Sequence, residues 1–363
     1  MPPDTTTIVE CSGVGPGGIT RVLSEVVRHW PAGHRLELVA APPGWEPPAG
    51  RTGDLIVHSR QSGGRARTIA TSTTAVRRAT GTAARVLSLS PSLAIVGSRL
   101  PVTTVVHDLA FRLWPAGLPA SVRQYRRISY ATAIRRSAHL LCVSARTRHD
   151  LLGLYGVEGA RASVWHPGSD LAAAAGRLPA ELAQLRERGQ RYLVVAGHAP
   201  NKGVELAIEA VAADPRFTLA VLTGGQRVAR FAEAATASPA AGRVLFLDRL
   251  TDEDYVAVVA GAAAFLMPSH FEGYGLPAVE ALRLGTPTIV SPDPALTEAT
   301  AGAAIRMESW TGAALVRALA RLDEPRVHCA PPPRSWQDAT AHLFALVHEG
   351  REAAAPATVP GAC

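Results

Sequence analysis

Pro268-Ser-His-Phe-Glu-Gly-Tyr-Gly-Leu-Pro-Ala-Val-Glu-Ala-Leu-Arg-Leu-Gly-Thr-Pro287 is the stretch on which the reading of this chain turns. The apolar run before it, Ala262–Met267, predicts a buried strand. After it the spacing predicts a helix with Val279 and Leu282 turned inward and Leu284 a further candidate. Gly273 and Gly275 mark the turn between them. Glycines there let the amides of Gly273, Tyr274, Gly275 and Leu276 approach a ligand at the positive end of a helix, which makes a phosphate cradle. Glu272 and Glu280, with seven residues between them, bracket that cradle. A phosphate loop carrying two acids suits a nucleotide sugar: the diphosphate takes the amides and the carboxylates take hydroxyl groups. The plain alternative makes Glu280 a solvated helix residue and Glu272 an acid that complements the helix dipole.

Composition narrows the classes. The chain has 363 residues, of which 47% are hydrophobic and 18% charged, so two domains with sizeable cores are expected. No apolar run reaches the roughly 18 residues of a membrane span. The first residues, Met1-Pro-Pro-Asp-Thr-Thr-Thr7, have no basic region followed by an apolar one, so no signal peptide is expected. Cys11, Cys142, Cys329 and Cys363 form no metal-ligand spacing, and a reducing cytoplasm is the simplest setting. Residues 1–185 carry a net charge of +10 and the remainder −3. A basic first half could attract an anionic acceptor, a membrane surface or nucleic acid, or simply be a solvated surface; with no aromatic interleaving or known nucleic-acid module, nucleic acid is the weakest choice and no nucleic-acid partner is expected. Lys202 is the only lysine among 37 basic residues, which points to a place that needs a compact ammonium.

Near the N-terminus, strand Thr6–Glu10 leads through Gly13, Gly15 and Gly18 into a helix from about Ile19. This fits G-x-G-x-x-G and invites a dinucleotide reading. That reading needs an acid at the end of the second strand, and Leu36–Ala40 ends without one, its only acid Glu37 lying near the start. Strand Val102–Val106 ends in His107-Asp108, at the carboxyl edge of a parallel sheet, where ligands of such sheets bind. Ser144 reads as a helix cap before Thr147, and Thr251 with Asp254 as a capping box, which leaves little for metal in Asp252-Glu-Asp254. Residues 171–190 read as an interdomain linker, and 351–363 as disordered.

The organising stretch resembles the E-x7-E segment of the family-four retaining glycosyltransferases, followed as in that family by Gly285-Thr-Pro-Thr-Ile-Val290. Thr-Val-Val-His107-Asp-Leu-Ala-Phe111, Gly197-His-Ala-Pro-Asn-Lys202-Gly and Ser335-Trp-Gln-Asp-Ala-Thr-Ala341 resemble further family segments. The resemblance covers about residues 8–350. It implies the GT-B fold, an α/β architecture of two Rossmann-like parallel-sheet domains facing across a cleft. The domains would be 1–180 for the acceptor and 181–334 for the nucleotide-sugar donor, with a C-terminal helix, 335–350, crossing back to the first.

By this resemblance the chain transfers a hexose-type sugar from a nucleoside-diphosphate sugar to an acceptor hydroxyl with retention, without metal or other cofactor. Lys202 sits beside the leaving diphosphate, Glu272 holds donor-sugar hydroxyls, Glu280 holds the ribose, and His107 lies near the reacting carbon. Gly17 and Gly18 face the donor, Gly224 belongs to a wall for the base or ribose, and Glu298 falls near the nucleotide. The family's second cation in the Lys202 loop is missing; His198 stands nearest its place, and Arg249 is the other candidate. Three rivals remain open: a nucleotide-sugar epimerase on the same fold, a phosphorylase-like enzyme with pyridoxal phosphate on Lys202, and a binding module without catalysis.

Overall fold

The computed structural model describes residues 5–15, 17–78, 84–171, 176–225, 228–324 and 334–348. The tail from residue 351, expected to be disordered, lies outside them. The described residues fall into two compact units, the first running to Gly168 and resuming at Arg334, the second beginning at Ser169.

The first unit is built on β1 (Thr6–Glu10), α1 (Gly18–His29), β2 (Arg35–Val39), β3 (Leu55–Val57), α2 (Arg65–Arg78) and β4 (Arg85–Ser88). It continues through β5 (Val102–Val106), α3 (Ala110–Leu113), α4 (Ala120–Arg136), β6 (His139–Cys142), α5 (Ala145–Tyr155) and β7 (Ala162–Val164). The second comprises α6 (Ala180–Glu187), β8 (Arg191–Ala196), α7 (Val204–Ala213), β9 (Phe217–Leu222), α8 (Ala229–Ala237), β10 (Val244–Leu247) and α9 (Asp252–Ala260). Its remaining elements are β11 (Ala264–Met267), α10 (Leu276–Arg283), β12 (Thr288–Val290), α11 (Pro294–Thr300), β13 (Ile305–Arg306) and α12 (Gly312–Ala320). Helix α13 (Trp336–His348) closes the described chain.

Each unit holds one sheet whose strands pair in parallel, in the order β3-β2-β1-β4-β5-β6-β7 and β10-β9-β8-β11-β12-β13. The two orders follow the same rule. The chain adds two strands on one side of the first, then returns to the other side, so the direction of winding reverses between β1 and β4 and between β8 and β11. A parallel sheet covered on both faces needs strands apolar throughout. Accordingly β5 and β11 are buried along their whole length. The outermost loops and helices take the charge.

Helix α13 packs back onto the first unit, as the resemblance implied. Its Trp336, Leu343, Leu346 and Val347 are buried. Phe344 meets Trp30 edge-on at 5.4 Å and His34 at 4.5 Å. Trp165 donates its indole N–H to the Ala339 carbonyl at 2.8 Å, and His348 pairs with Thr7 at 2.8 Å. A β-carbon on Gly168 would lie 2.5 Å from the Trp336 α-carbon, so the chain there passes close against the helix backbone.

Two expectations need revision. The stretch read as a linker includes α6, whose Leu182 is fully buried with Tyr192 and Phe265 in the second unit's core. In α10 the buried positions are Ala278, Val279, Glu280 and Ala281, while Leu282 and Leu284 are only partly covered. Val279 is buried as expected and Leu284 packs against the core from a partly covered position, whereas Leu282 gives way to Ala278 and Ala281, and Glu280 is buried beside them.

Candidate functional site

The second unit's reversal point lies between the carboxyl ends of β8 and β11, and both loops of the organising motifs emerge there. In open α/β sheets this is where ligands bind. Gly203 ends the β8 loop with φ of +64°, and a β-carbon on it would lie 2.2 Å from the Pro268 carbonyl oxygen. Gly275 precedes α10 with φ of +101°, and its β-carbon would lie 2.3 Å from Leu296 Cδ2. Glycine is required at both, by backbone conformation and by space.

These close approaches let the two loops join. Asn201 donates its side-chain N–H to the Phe271 carbonyl at 2.9 Å, and the His270 amide donates to the Asn201 carbonyl at 2.8 Å. Lys202 Nζ then meets Glu272 Oε1 at 2.7 Å, with both side chains only 10% exposed. The Glu272 amide is held in turn by the Asp293 carboxylate at 3.2 Å, whose other oxygen caps α11 through the Ala295 amide at 2.8 Å. Glu298 lies half-buried on that same short helix.

Glu280 is 2% exposed, so it is not a solvated helix residue. The Tyr255 hydroxyl on α9 donates to its Oε2 at 3.0 Å. His198 lies on the same β8 loop. Burial, reinforced by the nearby Lys202 charge, pushes its imidazole down to about 4, so it is neutral at physiological pH. A β-carbon on Gly224 would lie 3.6 Å from His198 Cβ, and one on Gly225 3.7 Å from Arg249 Cβ. His198, Gly224, Gly225 and Arg249 are thus brought together beside the Lys202 loop. Gly273, Tyr274 and Leu276 complete the turn, each half-buried.

In the first unit, the reversal edge carries Gly17, Gly18 and His107. Gly17 precedes α1 with φ of +109°, and among the described residues, chain neighbours and the helix's own backbone aside, no heavy atom lies within 4 Å of where a β-carbon on Gly17 or Gly18 would stand. Gln61 holds the glycine loop through the Cys11 and Val14 carbonyls at 2.8 and 2.9 Å. His107 Nε2 donates to the Leu89 carbonyl at 2.8 Å, which leaves Nδ1 as the lone-pair nitrogen of the neutral ring. Burial lowers its pKa. Asp108 accepts from the Ala110 amide at 2.9 Å and so orients the loop after β5.

Sequence reasoning missed three residues: Tyr255, Asp293 and Glu10. Asp293 had a signal, since Asp before Pro294 is a helix-start pattern. Glu10, at the end of β1, is fully buried. Its Oε1 accepts from the Ser12 amide at 2.8 Å, and its Oε2 lies 3.2 Å from Ser88 Oγ. Ser88 also donates to the Ser90 carbonyl at 2.8 Å. The hydrogen bonds from Ser12 and Ser88 favour the ionised carboxylate. Burial opposes them and is the larger effect, so its pKa is raised.

Ser144 caps α5 through the Thr147 amide at 3.0 Å. Thr251 caps α9 through the Asp254 amide at 3.1 Å, and Asp254 itself accepts from the Arg177 amide at 2.7 Å. Among the described residues, no group of three or more His, Cys, Asp or Glu could hold a metal ion.

The family described as Glycosyltransferase Family 4 matches residues 16–173, and the one described as Glycosyl transferases group 1 matches residues 182–312. The chain is a member of these glycosyltransferase families. Among curated relatives of this glycosyltransferase chain, the O-antigen chain mannosyltransferase RfbU of Salmonella typhimurium is 24% identical over 219 residues, 58% of this chain and 59% of the relative. The D-inositol 3-phosphate glycosyltransferase of Corynebacterium efficiens is 30% identical over 215 residues, 53% of this chain and 50% of the relative. The chain thus spans about half the length of the curated relatives it matches. Anabaena HepE, solved in complex with UDP and glucose, superposes with a TM-score of 0.67 over 95% of both chains at 15% identity. At that identity the likeness shows the GT-B fold.

Proposed function

We propose that the chain transfers a hexose-type sugar from a nucleoside-diphosphate sugar to an acceptor hydroxyl, with retention and without metal. The observation that carries this reading is the buried Lys202–Glu272 pair at the heads of α7 and α10. It sets a cation for the diphosphate beside an acceptor of sugar hydroxyls. Lys202 and the amides from Gly273 to Leu276 stabilise the charge that grows on the departing diphosphate. Glu280, oriented by Tyr255, takes the ribose hydroxyls. Neutral His198 and Arg249 flank the Gly224–Gly225 loop assigned to the base. Gly17 and Gly18 leave open backbone for the donor, and His107 is assigned a place near the reacting carbon.

In the proposed front-face displacement, the bond from the anomeric carbon to the phosphate oxygen breaks with its electron pair. The acceptor oxygen bonds to the same face, and its proton passes to the departing phosphate oxygen. No protein nucleophile is needed.

The acceptor side suits an anionic or membrane-carried acceptor. Helix α4 bears Arg123, Arg126, Arg127, Arg135 and Arg136 beside Ile128, which is 49% exposed. No described helix is long and apolar enough to cross a membrane. Peripheral attachment would appear as co-sedimentation with anionic vesicles that salt reverses.

The reading is tested by thermal stabilisation with UDP, GDP, dTDP and ADP on the wild type, Lys202→Ala and Glu280→Ala. A nucleotide at 100 times its Kd adds about 2.7 kcal/mol to the stability of the wild type. Stabilisation by one nucleotide, lost in both variants, is expected; no stabilisation by any of them sinks the reading. Donor consumed without acceptor, with inverted sugar stereochemistry, would instead reveal an epimerase.

A further inference from the structure

We propose that Glu272 is a specificity residue that makes the site favour a sugar-loaded nucleotide over the bare nucleoside diphosphate, and so drives product release. This rests on the donor reading above. Lys202 and Glu272 are each 10% exposed and meet at 2.7 Å, so each ion neutralises the other. The pairing is built into the fold. Asn201 fastens one loop to the Phe271 carbonyl at 2.9 Å, and Asp293 fastens the Glu272 amide at 3.2 Å. These bonds hold the two main chains side by side where the charges meet.

A diphosphate that takes Lys202 therefore meets the Glu272 carboxylate beside it. Buried like charges at such separations repel strongly because little water screens them. A donor sugar offsets this, because its hydroxyls donate to Glu272 in place of the lysine. The bare nucleoside diphosphate left after transfer has no such hydroxyls. It holds Lys202 against the carboxylate's competition and beside its repulsion. Loss of the sugar thus weakens binding of the product, and the Lys202–Glu272 contact reforms behind it.

The test is calorimetric. Whichever of UDP, GDP, ADP or dTDP binds the wild type is titrated into Glu272→Gln and into Lys202→Gln/Glu272→Gln. Glu272→Gln should bind that nucleoside diphosphate about tenfold tighter than wild type while sugar transfer falls at least about tenfold. The double variant should lose the gain. In the wild type, the matching sugar nucleotide (UDP-glucose for UDP, GDP-mannose for GDP) should bind at least about tenfold tighter than its diphosphate, a comparison that does not depend on the variants folding. Equal or weaker diphosphate binding by a folded Glu272→Gln overturns the inference while leaving the donor reading intact. So does a wild type that holds diphosphate as tightly as donor. Failure of every nucleotide to bind overturns the donor reading, and the inference with it.

Discussion

The two reversal points of this molecule share a strand order and differ in chemistry. In the second unit the edge between β8 and β11 holds a charged pair, Lys202 and Glu272, at 2.7 Å. In the first, the edge beside β1 and β4 holds groups driven toward neutrality. Burial raises Glu10 and lowers His107, and it outweighs the hydrogen bonds to Ser88 and to the Leu89 carbonyl, which favour the charged forms. Topology thus decides where a ligand can sit. Whether that place binds charge depends on whether a buried ion is given a counter-ion or only neutral partners.

The largest effect should come from breaking the pair. Lys202→Ala leaves Glu272 buried and is expected to cost about 3–5 kcal/mol of stability. It should also lower kcat/KM for transfer by about 10²–10³-fold. Denaturant melts and steady-state kinetics check both, and a stable, active variant would mean the edge does not work through charge.

Next come the glycines. Gly203→Ala meets both a left-handed φ of +64° and the Pro268 carbonyl, and should cost about 3 kcal/mol. Gly18→Ala has neither obstacle and should stabilise the chain by about 0.4–1 kcal/mol. If Gly18 faces the donor as proposed, activity falls even as stability rises; unchanged activity removes it from the site.

Tyr255→Phe removes a donor to a buried carboxylate. A hydrogen bond to a charged group is worth about 1.5–3 kcal/mol, so the donor KM should rise about tenfold or more with kcat less affected. An unchanged KM would detach Glu280 from the ribose.

The smallest effect concerns Glu10. Its native pKa lies above the unfolded value, so the native state keeps the proton longer. Its contribution is full below the ordinary carboxylate pKa and is lost as pH rises through the raised native value. Glu10→Gln mimics the protonated acid and should gain on the wild type in urea melts as pH rises above the ordinary carboxylate range. A pH-independent difference would show that folding does not raise the Glu10 pKa.

Much of the site was legible because its parts are local. The Gly-Tyr-Gly turn, the strand before it and the Lys-Gly loop are each contiguous, and each announces its backbone conformation through glycine or an apolar run. The same holds for the caps at Ser144 and Thr251, where donor and acceptor lie three residues apart. Tyr255 was not legible because its partner is 25 residues away on another helix. On α10 the expected Val279 is buried and Leu284 packs against the core, while Leu282 is only partly covered and the burial of Glu280 depends on a partner, Tyr255, that lies on another helix.

The sequence by itself determined that glycines and a lone lysine would stand at the heads of helices on parallel sheets, since propensity and turn chemistry act over a few residues. Only the tertiary structure decided that Lys202 would meet Glu272 70 residues on, and that Glu10 would be sealed against Ser88 78 residues away. Charge in a buried site depends on what surrounds it in space, and chain order does not encode that environment until the sheets have brought the loops together.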